Sequence, residues 1–268
     1  MAQARYEPIM SQDFSLQLAT ETLSHDAEYL GVTTRQLQDI SVFVNAIITK
    51  QPSPQLRLTY HICLPHTTLA TRLDWSEWRR TQVRFTDYLW ERTCLECFIA
   101  IATDTSANLC QTTGYIEINA SPDGRYALYQ FEGYRTPATM PPTPLLKAHV
   151  DWSDNRTKSS LTHTPPLSPI SSLMAYYHLL PTLIFIPRYY YQRCFGVPLA
   201  QLAPDIAISC DLDDTSLQPY IYQLHPCVIL WFGDIALYFA PRHASPPDFH
   251  QRGYWSRFEY NAAQAPLK

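Results

Sequence analysis

Two glutamates and an asparagine carry the strongest chemical signal in the chain. Glu96 lies in the apolar run Cys94 to Ala102, and Glu117 and Asn119 lie in the run Tyr115 to Ala120. If both runs are strands, alternation sends Glu96 to one face with Cys94 and Phe98 and puts Glu117 and Asn119 together on one face. Were the two strands neighbours, both carboxyls and the amide would share one surface. Carboxylates sharing a buried face repel unless a cation or ligand hydroxyls come between them. Arg84 and Arg135 are the natural counter-charges, because guanidinium forks onto carboxylate and stays ionised. Two outcomes stay level from the residues alone: a polar pocket for a polyhydroxyl ligand or a cation, or a salt-bridged network that only fixes the fold.

Other groups offer weaker chemistry. His243, Asp248 and His250 fall within eight positions and carry the donor types of a metal site. In a Pro-rich turn, however, such side chains more often satisfy local backbone donors. Trp90 directly precedes the Glu96 strand and is the best of the six tryptophans for stacking a sugar, although large aromatics are more often core. A haem would need axial His or Met, and Met140 alone among the methionines lies in a suitable loop. Cys94-Leu95-Glu96-Cys97 has redox or zinc spacing, but strand residues three apart point to opposite faces. Gly-rich nucleotide loops, Gly-x-Ser-x-Gly and His-Glu-x-x-His are absent, which leans the chain away from catalysis.

The elements that would position these groups read as strands. Leu56 to Leu64 alternates, with Leu56, Leu58, Tyr60, Ile62 and Leu64 on one face. Tyr115 to Ala120 and Tyr126 to Glu132 flank Ser121-Pro122-Asp123-Gly124, a turn in which Pro presets φ and Gly closes. Further strands are expected at Ile206 to Leu212, Gln218 to Leu224, Cys227 to Phe232, Ile235 to Phe239 and Tyr254 to Tyr260. Leu173 to Leu180 fits helix or strand. Thr136 to Ser171 is rich in Pro, Thr and Ser and reads as a long insertion around a short strand near Leu145 to Trp152. Short strands at near-regular spacing indicate a single all-β domain spanning 1–268, with room for one or two short helices.

Composition bounds the rest. The chain has 268 residues, 46% hydrophobic and 13% aromatic, so it supports a packed core and is not disordered throughout. A net charge of −4 gives no basic footprint for nucleic acid. The first residues lack an apolar export segment, no run is long enough to span a bilayer, and the seven cysteines are odd in number and scattered. Those features point to a cytoplasmic setting.

The stretches Arg84 with Leu89 to Phe98, Tyr115 to Gly124 continuing through Tyr129, Phe131, Gly133, Tyr134 and Arg135, and Tyr238, Ala240, His243 with Pro247 to His250 together resemble the bacterial DOMON-like proteins related to family 9 carbohydrate-binding modules. The resemblance touches about half the chain. It implies an antiparallel β-sandwich of jelly-roll or immunoglobulin-like form and a ligand-binding role, with carbohydrate the leading ligand and haem the other. Carried onto matched positions, it implies ligand contacts at Trp90, Glu96, Glu117, Asn119, Arg135, His243, Asp248 and His250. The long segment 136–171, the Tyr-rich Pro187 to Gln192 stretch and the missing export signal depart from that pattern. The expectation is a non-catalytic module for a carbohydrate or small polyhydroxyl ligand. Against it stand a partner-binding sandwich docking through Tyr189-Tyr190-Tyr191, and a haem, calcium or other metal protein using His243, Asp248 and His250.

Overall fold

The computed structural model describes residues 8–50, 53–101, 114–153, 188–202 and 221–258. Among these residues eleven strands form, in chain order β1 Pro8–Leu18, β2 Ser41–Thr49, β3 Gln55–Leu64, β4 Cys94–Ile101, β5 Tyr115–Ala120, β6 Tyr126–Phe131, β7 Asp151–Trp152, β8 Tyr189–Pro198, β9 Ile221–Phe232, β10 Ile235–Ala240 and β11 Ser256–Arg257. They pair antiparallel along one path, β6-β5-β4-β9-β10-β1-β2-β3-β8-β7, with β11 added to β9. The expected all-β, antiparallel character is present. The sheet is continuous and curled like half a barrel, because β1 pairs with β2 along Ser11 to Leu16 and then meets β10 through Gln17 and Leu18.

The curl brings β3 and β8 over β4 and the β5–β6 turn. The buried Tyr60 hydroxyl donates to the Glu96 carbonyl at 2.6 Å, and the Arg193 Nε–H of β8 donates to the Pro122 carbonyl at 2.7 Å. The main core fills the space between, with Val42, Val44, Leu58, Ile62, Leu95, Ile99, Ile118, Val228 and Phe239 among its residues. Cys94 and Cys97 lie in different clusters on opposite faces of β4, as alternation requires, which removes the paired-thiol reading.

β5 and β6 close through Ser121 to Gly124 as the turn sequence predicts, with Gly124 at φ +114° and its N–H donating to the Ser121 carbonyl. Several other boundaries differ from the sequence reading. The two strands expected on either side of Pro226 are one strand. Pro226 falls in the gap between β10, whose pairing ends at Val228, and β11, whose pairing begins at Leu224, so that edge of β9 has no ladder bond to lose. The Tyr-rich stretch is strand rather than loop: Tyr189, Tyr190 and Tyr191 begin β8 opposite Leu64, Cys63 and Ile62, and all three are half-buried. Of the strand expected at Tyr254 to Tyr260, Ser256–Arg257 is present, and residues 259–260 lie outside the described residues. Four short helices occur among the described residues, α1 Leu23–Leu30, α2 Thr34–Gln38, α3 Thr67–Arg72 and α4 Leu199–Leu202, where one or two were expected.

The described part of the Pro-rich segment is fastened to the sheet. Gln130 N–H donates to the Thr143 carbonyl and Leu145 N–H to the Leu128 carbonyl, so residues 143–145 extend the edge at β6. Residues 154–171, and the elements expected at 173–180, 206–212 and 218–220, lie outside the described residues.

Candidate functional site

The face of β4, β5, β6, β9 and β10 turned away from the main core carries a second cluster. Alternation places Cys94, Glu96, Phe98 and Ala100 of β4 on it, and the register sets Glu96 opposite Asn119 and Phe98 opposite Glu117. Tyr115 lies opposite Phe131 and Glu117 opposite Tyr129. β9 contributes His225, Cys227 and Ile229, and β10 contributes Tyr238 opposite Ile229. The segments around Phe85 to Trp90 and Phe249 to Trp255 cover this face and close much of it into a second apolar cluster with Phe98, Tyr115, Tyr129 and Phe131.

A cavity of about 320 Å³ remains, within the size range of small-molecule sites. Its floor holds Glu96 and Glu117. Aromatic walls come from Trp90, Phe98, Phe131 and Phe249, and the loop Pro137 to Pro142 with Arg135, Tyr238, Asp248 and His250 completes the lining. Met140 and Tyr238 are 66% and 40% exposed and stand at the mouth. Of the eight residues expected to bind ligand, Trp90, Glu96, Glu117, Arg135, Asp248 and His250 line this one cavity. Asn119 lies behind it, fully buried, and its Nδ2 donates to Glu117 Oε1 at 2.7 Å, so it orients the carboxyl. His243 points elsewhere: its Nε2–H donates to the Gln17 carbonyl at 2.7 Å.

Both ring nitrogens of His250 face polar groups. Arg135 N–H donates to the Tyr115 hydroxyl at 3.2 Å, and that hydroxyl lies 2.6 Å from His250 Nδ1. On the other side of the ring, His250 Nε2 lies 3.8 Å from Glu117 Oε2. Burial, aided by Arg135 and opposed by Asp248, holds the His250 pKa down to about 4, so the ring is neutral at ordinary pH.

Burial acts on the carboxyls in the opposite sense. It pushes Glu117 up to about 7, against the pull of Asn119 and Arg135. Glu96 is held well above the usual carboxylate range by burial and then by Glu117, with the Cys94 thiol opposing. Burial thus favours the protonated, donating form of Glu96, while Glu117 at neutral pH is poised between donor and acceptor. Glu96 Oε1 is buried with no hydrogen-bond partner.

The expected counter-charges are placed otherwise. Arg135, held at φ +47°, turns its guanidinium to Asp248 Oδ1 at 2.9 Å. Arg84 is exposed and has no ion pair to either glutamate among the described residues. Asp248 also accepts from Tyr134 and from the His250 backbone N–H, the local turn bonding that competes with a metal role. Burial raises the Asp248 pKa, but the Tyr134 and Arg135 hydrogen bonds outweigh it and keep the group below its ordinary value.

His243, Asp248 and His250 do not assemble into a metal site, and among the described residues no three His, Cys, Asp or Glu side chains do. Of the residue types that ligate haem iron, His250 and Met140 line the cavity, with His250 Nδ1 2.6 Å from the Tyr115 hydroxyl and its Nε2 3.8 Å from Glu117. Sequence reasoning put Phe98 on the Glu96 face but missed the other walls: Phe131 and Tyr238 were available from strand alternation, whereas Phe249 lies in a turn that alternation does not place. In comparisons with protein families, curated proteins and solved structures, nothing matches this chain.

Proposed function

We propose that this protein is a non-catalytic binding module, a DOMON-like sandwich that holds a carbohydrate or other small polyhydroxyl ligand in the cavity over Glu96 and Glu117. The observation that carries the reading is a cavity whose floor is two carboxyls, one with an unpartnered buried oxygen, and whose walls are aromatic. Sugar hydroxyls both donate and accept, which suits a Glu96 whose protonated form is favoured by burial beside a Glu117 that can accept. Trp90 leans edge-on against Tyr129 with ring centres 5.9 Å apart, and it lines the cavity where the apolar face of a sugar ring would lie.

The cytosolic setting is part of the proposal. Cys63, Cys94, Cys97, Cys194 and Cys227 are all unpaired, and no helix among the described residues is long and apolar enough to cross a membrane. The test is a thermal-shift screen of the full chain against neutral monosaccharides and disaccharides. A sugar at about 100 times its dissociation constant adds roughly 2.7 kcal/mol, a shift of several degrees. The account expects such a shift in the wild type and its loss in Trp90→Ala. No shift with any sugar would make the face scaffolding.

A further inference from the structure

The floor of the cavity carries more acid than the protein supplies cation. Glu96 is 3% exposed and its Oε1 has no partner. Glu117 is 5% exposed and is met by the Asn119 amide on one oxygen and, at 3.8 Å, by a neutral imidazole on the other. The one arginine that lines the cavity, Arg135, is committed at the rim to Asp248. Arg242, beyond the wall, donates to the Trp255 carbonyl. The walls above the two carboxyls are aromatic, and aromatic faces attract cations, most strongly where water is excluded. A buried carboxyl pair without a counter-ion, roofed by rings, is complementary to an ammonium group.

We propose that the ligand of this pocket bears an ammonium on its polyhydroxyl frame, an amino sugar being the simplest such molecule, with the ammonium seated between Glu96 and Glu117 and the ring against Trp90. The inference rests on the polyhydroxyl reading above and adds the charge.

The groups facing the pair leave its ionisation to the two glutamates. From β4 and β9, burial keeps the Cys94 and Cys227 thiols protonated, and from the opposite side of the sheet it does the same for Tyr60. Tyr115, Tyr129 and Tyr238 on the flanking strands are likewise pushed up. From the covering segment come neutral His250 and the Arg135–Asp248 pair, whose charges offset. An ammonium therefore has to draw a proton out of the floor. With Glu117 titrating at about 7, binding should release close to one proton near pH 6 and tighten roughly tenfold from about pH 5.5 to 6.5.

The experiment is isothermal titration calorimetry of the full chain with glucosamine, glucose and N-acetylglucosamine, in two buffers of different ionisation enthalpy. Glucosamine is expected to bind at least about tenfold more tightly than the two neutral sugars and to release the proton, with both effects erased by Glu117→Gln. Equal affinities with no proton release in the wild type would overturn the ammonium and leave the polyhydroxyl reading standing. No heat with any of the three would overturn both.

Discussion

Replacing Glu117 with Gln should leave the unliganded protein nearly as stable at about pH 5 and make it more stable at about pH 8.5. Burial raises the Glu117 pKa from an ordinary 4.5 to about 7, so between those values the folded protein holds a proton that the unfolded chain has released. Stability from this group is fully present below 4.5 and is lost as pH rises through 7. The gap corresponds to about 3 kcal/mol. Gln copies the neutral acid in size and still offers Asn119 an acceptor, so the variant escapes the alkaline loss while keeping the 2.7 Å bond. Urea unfolding at the two pH values reads the difference directly. The expected result is a change within about 1 kcal/mol at the lower pH and a gain approaching 3 kcal/mol at the higher one. A loss of several kcal/mol at both would show that the Glu117 carboxylate is a structural clasp, and its role as a ligand group would fall.

Three further outcomes follow from other parts of the molecule. His225 is buried against Trp255 with Nδ1 unpartnered, and burial, then His243 and Arg242, hold its pKa down to about 3. Its contribution is complete above 6.5 and is lost as pH falls, so His225→Phe should retain about 3 kcal/mol more stability than wild type at about pH 4, relative to their difference at neutral pH, in melting curves; parallel pH profiles would contradict this. Arg193, fully buried, donates to the Pro122, Gln192 and Ser76 carbonyls and lies over Trp75, clasping β8 to the β5–β6 turn. Arg193→Lys cannot reach all three and should cost about 3 kcal/mol in urea, whereas a loss below about 1 kcal/mol would show the clasp to be dispensable. Trp90→Phe keeps an apolar wall but shrinks the platform, so the thermal shift with sugar should fall while the unliganded melting temperature moves by only a few degrees.

The site was legible where side chains obey a period of two and illegible where loops fold back. Glu96, Glu117 and Asn119 could be placed on one face because β4 and β5 alternate cleanly, and the Ser121 to Gly124 turn marked β6 as the next strand. Their true surroundings depend on the pairing of β4 with β9, whose partners lie 120 or more residues away, which no local pattern encodes. Arg135 was expected at the carboxyls, but its side chain is steered to Asp248 by a left-handed backbone and by a tail loop distant in sequence. β1 and β2 went unread because their patterns are impure: Gln12 stands between Met10 and Phe14 on the buried register of β1, and half-buried Phe43 sits on the outer face of β2. β8 was hidden by its tyrosines, which are half-buried along a strand that closes the sheet.

The most direct test of the pocket is the indole N–H spectrum of the full chain, labelled at its six tryptophans, with and without saturating sugar. Trp90 lines the cavity, whereas the indole nitrogens of Trp75, Trp78 and Trp152 are buried away from it. The account predicts that the signal missing from Trp90→Phe is the one that moves most, with those of Trp75, Trp78 and Trp152 unchanged. A sugar that shifts those three and leaves Trp90 in place, or that moves no indole signal at all, would contradict it.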